Sequence, residues 1–343
     1  MARLKKYERA IFFIDPLRPL VPGDCPTQKN LNWIYGLFRS LLDINGAKSV
    51  TFHQLISPSF IELQEILYNG LGYEESLEKW AFLYEFGIDF QIGVEKNDLI
   101  IGFELSPFMK NKINKENIDF IDIRVHPSRY LNDLILSFYS NNIHLNQLFC
   151  LNSREWGDRP VSVATMAGYF GRRPGKIITD GTIFLAQSRH DATVINDGKF
   201  IEFSDILPRF IDVISGPLYV LPHPADPENP IVTKMVQDLG ALSLAGENFY
   251  SLALNCESTV DFVTFTSGSG REAEDFGRKV DFLGVNNYGI SSLNEKLYSA
   301  MSPAIFSPCF WNHVVQGTVG RASFAPADRI LRRSLGERWS YPF

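Results

Sequence analysis

Length, composition and charge exclude several classes of protein. The chain has 343 residues, which is long enough for two domains of ordinary size, and its 45% hydrophobic and 21% charged residues are typical of a folded globular protein. Its 33 basic and 39 acidic residues give a formal net charge of −6, so no overall basic field attracts nucleic acid. No apolar run approaches the ~20 residues that cross a bilayer, and the opening lacks the pattern of a secretory leader. We therefore expect a cytoplasmic protein.

The first half of the chain alternates strand-like and helix-like segments. Such alternation implies a largely parallel sheet covered by helices, and we assign residues 1–150 to a Rossmann-like N-terminal domain. Apolar spacing and Gly or Pro stops predict a strand at 10–15, a helix at 31–46, a strand at 48–55, a helix at 58–72, strands at 98–105 and 120–127, and a helix from Arg129 to Tyr139.

A second alternating unit follows a change in composition. Residues 153–181 contain five glycines, two prolines and four arginines, so we interpret residues 151–181 as a linker and cleft region. We assign residues 182–320 to a second Rossmann-like domain. Its predicted elements are a strand at 182–188, a helix at 203–214, a strand at 218–224, a helix at 230–240, and a strand at 262–265 followed by a helix. Two such domains facing each other across a cleft make the architecture called GT-B, the α/β fold that we predict.

The last segment, residues 321–343, differs from the rest in charge. It has five arginines and two acidic residues, and RILRRSLGERW could form a short helix with Ile330, Leu331, Leu335 and Trp339 near one side. Such a helix either packs back on the body of the protein or rests on an anionic membrane surface, which would make the protein peripheral at the inner membrane.

Two turns carry the strongest functional signal. The run Leu218–Leu221 delivers His223 and Pro224 to the C-terminal edge of a sheet, and the run Phe262–Phe265 delivers the turn 267–270 (SGSG) to the same edge. In an open α/β sheet this is the edge where ligands bind. Small residues that open a helix leave N–H groups bare, and the helix dipole favours an anion there. Two such turns predict a nucleotide phosphate site.

The side chains of the second turn suit that role. Ser267, Gly268 and Ser269 offer N–H and hydroxyl donors to a phosphate, and Gly270 permits a close approach of the chain. Glu272 could accept from ribose hydroxyls, or it could simply complement the helix dipole. A Ser/Gly turn is otherwise an ordinary loop.

The loop after the first strand of the second domain is a further candidate. Gln187 or Ser188 could contact the sugar or phosphate of a donor; alternatively, the loop is merely polar and Asp191 caps a turn. The imidazole of His223 could donate to a phosphate oxygen, with Pro224 fixing the backbone that aims it, although a single histidine in such a loop is often structural.

Two carboxylates each end an apolar run. Glu104 closes DLIIGFE in the first domain, and Asp180 stands before a glycine in KIITDG. Glycosyl transfer needs an acid or base near the acceptor hydroxyl, and a retaining mechanism can use a carboxylate nucleophile as well. The alternatives are a strand-end ion pair for Glu104 and an ordinary Asp-Gly turn for Asp180.

The sequence shows no pattern typical of a metal site. It contains no DxD pair and no His/Cys ligand spacing, and its four cysteines form no CxxC pair. We therefore expect no metal and no other cofactor. A transferase of this kind would stabilise the departing phosphate with a helix N-terminus and with His or Arg side chains. A nucleoside monophosphate suits that arrangement, which points to a CMP-sugar donor.

The segments TDG, QSRHDATV, LPHPAD and FTSGSGREAEDFGRKV together resemble the bacterial GT-B transferases that use CMP-activated acidic sugars. These are the sialyltransferases with Asp-Gly, His-Pro and Ser-Ser motifs and the Kdo transferases of capsule and lipopolysaccharide O-antigen assembly (Kdo is 3-deoxy-manno-octulosonic acid). The run Gln187…Asp191-Ala192-Thr193 is similar to the retaining β-Kdo transferases. The resemblance covers roughly residues 98–284.

The resemblance implies a role for each matching residue. His223 and Ser267–Ser269 would hold the CMP phosphate, and Asp180 would be the nucleophile of a retaining mechanism or the base of an inverting one. Glu104 would be the acid/base partner of the acceptor hydroxyl. The chain departs from the family at Thr179, which replaces an acidic residue, and at Gly268, which lies between the two serines.

The sequence thus predicts a metal-independent glycosyltransferase that moves Kdo from CMP-Kdo to a bacterial surface polysaccharide, with CMP on the second domain and the glycan acceptor on the first. The alternatives are an inverting CMP-sialic acid transferase, a non-catalytic nucleotide- or glycan-binding subunit of an assembly complex, and a UDP-sugar epimerase. Its predicted partners are the donor and the glycan, without nucleic acid.

Overall fold

The computed structural model describes residues 7–20, 26–172, 175–284, 297–324 and 329–335. The chain divides into two compact units, each built from separate stretches of sequence. Unit 1 comprises residues 1–126, 133–155 and 298–343, and unit 2 comprises residues 127–132 and 156–297.

The helices and strands alternate along most of the described chain. Residues 7–155 contain β1 (Arg9–Phe13), α1 (Pro26–Ile44), β2 (Lys48–Thr51), β3 (Ile56–Ser57), α2 (Phe60–Tyr68), α3 (Tyr73–Phe86), β4 (Gln91–Ile92), β5 (Asp98–Phe103), α4 (Pro107–Lys115), β6 (Asp119–Val125), β7 (Leu136–Ser140) and α5 (Ile143–Leu151). Residues 156–284 contain α6 (Arg159–Gly171), β8 (Gly181–Leu185), β9 (Ile195–Asn196), β10 (Lys199–Phe200), α7 (Phe203–Val213), β11 (Leu218–Leu221), α8 (Pro230–Leu239), β12 (Leu242–Ser243), α9 (Phe249–Asn255), β13 (Val260–Thr264), α10 (Gly268–Asp275) and β14 (Val280–Phe282). The remaining elements are β15 (Ser299–Ala300), α11 (Pro308–Gln316) and α12 (Ile330–Leu335).

The main sheet of unit 1 has the strand order β15-β7-β6-β5-β1-β2. Strands β2, β1, β5 and β6 are parallel, whereas β7 is antiparallel to β6 and β15 is antiparallel to β7. Every residue of β5 is buried, because helices cover both faces of a central parallel strand and its sequence DLIIGF is apolar almost throughout. The bidentate pair of Arg9 with Asp98, with Nε 2.9 Å from Oδ1, fixes the first rung between β1 and β5.

One predicted element of unit 1 is wrong. The helix expected from Arg129 to Tyr139 is absent; residues 136–140 instead form β7, with Ile121 opposite Ser140 and Val125 opposite Leu136. The segment LSFYS alternates with a period of two, which suits a strand, and this short-range pattern outweighs the helical spacing of the apolar residues before it. Residues 127–135 consequently form a loop at the carboxyl end of β6.

The main sheet of unit 2 has the order β12-β11-β8-β13-β14, and all of its strands are parallel. Consecutive residues of β8 face opposite sides of the sheet. Ile183 belongs to a buried cluster with Leu252 of α9 and Ala273 of α10, whereas Phe184 belongs to another with Phe210 and Met235. The predicted strands at β8, β11 and β13 and the helices at α7, α8 and α10 are confirmed.

Gly181, the first residue of β8, has a backbone conformation that requires glycine. Its φ is +107°, and a Cβ atom would lie 2.1 Å from the carbonyl oxygen of Pro217. Only glycine fits such a backbone at such a close approach. The glycine of the TDG segment is therefore explained by the fold of unit 2.

The region expected to be a linker contains a helix. Residues 159–171 form α6, which packs against α9 with Met166 and Phe170 buried one turn apart. Glycine and arginine content favoured a loop, but the spacing of these two apolar residues is helical. With a largely parallel sheet in unit 1 and a parallel sheet in unit 2, the chain is a mixed α/β protein compatible with Rossmann-like folds. The GT-B arrangement, which concerns how two domains face each other, stays a prediction.

The described part of the basic tail belongs to unit 1. Leu331 of α12 is buried, and the indole Nε1 of Trp33 on α1 donates to the hydroxyl of Ser334 at 2.9 Å. Trp339, predicted to share a face with Leu331, lies outside the described residues. Among the described residues, no helix is long and apolar enough to cross a membrane.

Candidate nucleotide site

The sheet of unit 2 has its topological switch point beside β8. The chain passes from β8 to β11 on one side and then to β13 on the other. Connections that leave in opposite directions open a crevice at the carboxyl ends of the two strands, and ligands of doubly wound sheets bind there. The residues that follow β8 and β13 are those predicted to hold the donor.

Gln187 bridges this crevice. Its Nε2 donates to the hydroxyl groups of Thr193 at 2.8 Å and Thr266 at 3.1 Å, and its Oε1 accepts from the backbone N–H of Thr266 at 2.7 Å. The amide therefore joins the loop after β8 to the loop after β13. Its role in the structure is to position the two loops, and Asp191 caps the turn between them by accepting from the N–H of Thr193.

The Ser-rich turn starts α10 as expected. The hydroxyl of Ser267 accepts from the N–H of Ser269 at 3.2 Å, so Ser267 is the N-cap. At Gly270, an added Cβ would lie 2.7 Å from Cγ2 of Thr264, which explains the second glycine as a packing requirement. The N–H of Gly270 donates to the carbonyl of Ser267, so the N–H of Gly268 and the hydroxyl of Ser269 are the candidate phosphate donors at the start of the helix.

His223 lies in a tight turn at the end of β11. Pro224 occupies the second position of that turn, which the N–H of Asp226 closes by donating to the carbonyl of His223 at 2.9 Å. The N–H of Ala225 donates to Nδ1 of the ring at 3.2 Å. Because Nδ1 is an acceptor, the neutral ring carries its proton on Nε2, which is then a donor to a ligand. Burial lowers the pKa of His223, which favours the neutral form.

A pocket adjoins the crevice on its β11 side. It is small, with a volume of about 20 Å³; Phe184, Ile206, Ile231 and Phe265 are among its apolar walls, and Ser188 and Arg189 lie at its polar side. The side-chain amide of Asn229 donates to the carbonyl of Gln187 at 2.8 Å and fixes the loop that forms the wall. Ser188 lines this pocket, and its contact with a donor stays a prediction.

Glu272 faces the protein interior. One carboxylate oxygen accepts from the backbone N–H groups of Arg129 at 2.7 Å and Tyr130 at 3.0 Å, and the hydroxyl of Tyr250 donates to it at 3.2 Å. Burial raises the pKa of Glu272 to about 7, against the opposing effects of the Arg129 guanidinium and these donors. This geometry gives the carboxylate a structural partner, the segment 127–132, in place of the predicted ribose.

Arg129 is a residue of this edge that the sequence did not predict as functional. It is exposed, and its guanidinium adds to burial in lowering the pKa of His223. The sequence placed Arg129 in a helix of the first domain. The period-two pattern of β7 was the signal that could have shown residues 127–135 to be a loop at a sheet edge.

Asp180 lies at the opposite edge of the sheet. It directly precedes β8, and its Oδ1 accepts from the N–H of Gly181 at 2.9 Å. A five-residue strand spans about 16 Å, so the carboxylate is separated from the crevice by the length of β8. A nucleophile for the donor sugar has to lie beside the donor phosphate, whereas Asp180 lies at the far edge of the sheet. The observed geometry is that of an ordinary Asp-Gly turn.

Glu104 lies at the equivalent switch point of unit 1, at the carboxyl end of β5 and beside β1. Its φ is +53°, a left-handed conformation that is uncommon for residues other than glycine. Its N–H donates to the carbonyl of Ile123, and the next N–H, of Leu105, donates to the buried carboxylate of Asp122 at 2.9 Å. The Nζ of Lys110 forms an ion pair with Oδ2 of Asp122 at 2.6 Å. Burial lowers the pKa of Lys110 to about 8.

The chain was compared with known proteins. No protein-family model and no curated protein matches it. A solved structure that it is similar to is the KpsC beta Kdo 2,7 transferase of Thermosulfurimonas dismutans, with 10% identity, 91% of this chain and 90% of that chain covered, and a TM-score of 0.37.

Proposed function

We propose that this chain is a glycosyltransferase that binds a nucleotide-activated sugar at the carboxyl edge of the unit 2 sheet. The observation that carries the proposal is that the start of α10, the ring of His223 and the bridging amide of Gln187 all lie at the carboxyl edge of one parallel sheet. A helix N-terminus and an Nε2–H donor suit a phosphate, and open α/β sheets bind nucleotides at this edge.

We propose CMP-Kdo as the donor, with a bacterial surface polysaccharide as the acceptor. The support is the resemblance of the segments around Asp191, His223 and Ser267 to transferases of CMP-activated acidic sugars. A single short helix with one neutral histidine fits the charge of a monophosphate better than that of a diphosphate. CMP-sialic acid is the alternative donor, since it would occupy the same site.

In the proposed reaction the groups at α10 and His223 stabilise the charge that develops on the departing CMP. Glu104 of unit 1 is the acid/base group for the acceptor hydroxyl. The left-handed backbone at Glu104 supports this role, because strain of this kind concentrates at functional sites. The placement of Asp180 at the amino edge of β8 does not favour it as the nucleophile of a retaining mechanism, so the proposal leaves it out.

A nucleotide panel tests the proposal. Thermal unfolding is followed with CMP, UDP, GDP and ADP, each with and without EDTA. A ligand that binds only the folded protein, present at about a hundred times its Kd, stabilises it by about 2.7 kcal/mol, which shifts the Tm visibly. We expect CMP alone to raise the Tm, with no effect of EDTA. A shift with UDP alone, or no shift with any nucleotide, would contradict the proposal.

Turnover separates an enzyme from a binding subunit. With CMP-Kdo and a capsule-type glycan acceptor we expect release of CMP that depends on the acceptor, and NMR of the product gives the anomeric configuration. CMP-sialic acid under the same conditions distinguishes the alternative donor. CMP binding without any turnover of either donor would support the non-catalytic alternative.

Replacement of His223 tests the phosphate contact. A hydrogen bond to a charged group contributes about 1.5–3 kcal/mol, so His223→Ala is expected to raise the Kd of CMP on the order of tenfold to a hundredfold. His144→Ala, which removes an exposed imidazole from α5 of unit 1, is the matched control and should bind CMP as the wild type does. Equal affinities in calorimetry for all three proteins would exclude a direct contact of His223 with the phosphate.

A further inference from the structure

A six-residue segment, Pro127–Asn132, belongs to unit 2 although the residues on both sides of it belong to unit 1. We call it the strap. Its first residue lies at the start of α10: an added Cβ on Gly268 would be 3.2 Å from Cβ of Pro127. The strap therefore passes directly beside the donors that open the helix.

Two carboxylates of α10 hold the strap. Glu272 accepts from the N–H groups of Arg129 and Tyr130, as described above. Asp275 accepts from the hydroxyl of Ser128 at 3.0 Å and from the phenol of Tyr130 at 3.1 Å. The backbone on both sides of the Arg129 Cα atom is thus fixed relative to α10.

The Asp275 carboxylate is itself held by two arginines. Arg159 of α6 lies 3.2 Å from Oδ1, and Arg271 of α10 lies 3.6 Å from the same atom. The aromatic ring of Tyr130 also packs against that of Phe276, with their centroids 5.0 Å apart. These contacts anchor the strap independently of any charge on the Arg129 side chain.

Arg129 is exposed, whereas its neighbours Ser128 and Tyr130 are buried. Its guanidinium is close enough to lower the pKa of His223, whose own shift is caused first by burial. It is also close enough to oppose the burial-driven rise in the pKa of Glu272 on α10. The guanidinium therefore lies within electrostatic reach of both His223 and Glu272.

We propose that Arg129 is a donor-binding residue, which contacts the phosphate of the nucleotide from the strap while the start of α10 and His223 contact it from the sheet edge. This inference rests on the proposed function, since it assumes that a nucleotide phosphate occupies the edge. A guanidinium offers a planar pair of N–H donors that matches two phosphate oxygens, and its charge persists at every physiological pH. The strap thus places a cationic residue of unit 2 beside α10.

Calorimetric titration of the full chain with CMP and with cytidine tests the inference, because cytidine lacks the phosphate. Arg129→Ala is expected to raise the Kd of CMP about 10- to 100-fold and to leave the Kd of cytidine unchanged. The Kd of CMP for Arg129→Lys should lie between those of the wild type and Arg129→Ala, because lysine keeps the charge and loses the paired donors. The control is Arg172→Ala, which removes an exposed arginine of the same unit at the C-terminal end of α6; it should bind both ligands as the wild type does.

Each other outcome overturns a defined part of the argument. If the wild type binds CMP and Arg129→Ala binds it within about twofold, the inference fails and the proposed function stands. If Arg129→Ala weakens CMP and cytidine equally, Arg129 acts on the shape of the site and the phosphate contact is refuted. A wild type that binds neither CMP nor another nucleotide removes the proposed function and the inference with it.

Discussion

Glu104→Gln is expected to lower the rate of glycosyl transfer on the order of 10²- to 10⁴-fold, the usual contribution of a general acid or base, while the affinity for CMP stays unchanged. Glutamine preserves the shape of the side chain but cannot exchange a proton with the acceptor hydroxyl. Nucleotide affinity should not change, because the proposed CMP site belongs to unit 2 and Glu104 to unit 1. Steady-state turnover of CMP-Kdo and calorimetry with CMP measure the two quantities.

Two further variants separate chemistry from structure at this position. Glu95→Gln removes an exposed carboxylate of unit 1 and should retain full activity. Glu104→Gly removes the cost of a left-handed residue, about 1–2 kcal/mol, and adds the flexibility cost of glycine, about 0.5–1 kcal/mol. Its stability should therefore stay within about 1 kcal/mol of the wild type while its activity is lost. Substantial activity in both Glu104 variants would show that the carboxylate is not the acid or base.

Glu272→Gln is expected to remove a pH dependence of about 3 kcal/mol from the stability of the protein. Burial raises the pKa of this carboxyl from 4.5 to about 7 in the folded chain. Between these two values the unfolded chain has released the proton and the folded chain retains it. The free energy of unfolding therefore falls as the pH rises from 4.5 to 7 and changes no further above that range. Within this range, each pH unit lowers the free energy of unfolding by about 1.4 kcal/mol.

Glutamine resembles the protonated carboxyl, because its carbonyl can still accept from the N–H groups of Arg129 and Tyr130. Urea unfolding at pH 5, 6, 7 and 8 is the measurement. Between pH 5 and pH 8, the free energy of unfolding of Glu272→Gln should rise by up to about 3 kcal/mol relative to that of the wild type. Glu228→Gln, which changes an exposed carboxyl of the same unit, should follow the wild type at every pH. Parallel curves for the wild type and Glu272→Gln would mean that the buried carboxyl does not titrate in this range.

The parts of the fold that follow from local pattern could be predicted from the sequence. The apolar runs that became β8, β11 and β13 have the length and flanking turns of buried parallel strands, and that alone places the residues after them at one edge. The N-cap at Ser267 follows from the same local chemistry. His223 and the Ser-rich turn could be predicted because each directly follows a strand.

The remaining features depend on contacts that are distant along the chain. Nothing local shows that Glu272 faces Arg129 and Tyr130, which are more than 140 residues away in sequence. Asp180 ends an apolar run in the sequence and yet precedes a strand, because the turn at Gly181 starts β8 and the run before it does not form a strand. An apolar run indicates a buried segment, but it does not show whether the strand lies before or after the polar residue that ends the run.

The interleaving of the two units limits how this chain can be recombined. A chimera that exchanged residues 156–297 alone would transplant the sheet of unit 2 with the buried carboxylate of Glu272 and would leave its two backbone partners in the host. Unit 1 of the host also has contacts between the residues before and after the exchanged stretch: β15 pairs with β7, and the N–H of Tyr7 donates to the carbonyl of Val315. A chimera that exchanges unit 2 therefore has to carry residues 127–132 together with residues 156–297, as two separate inserts.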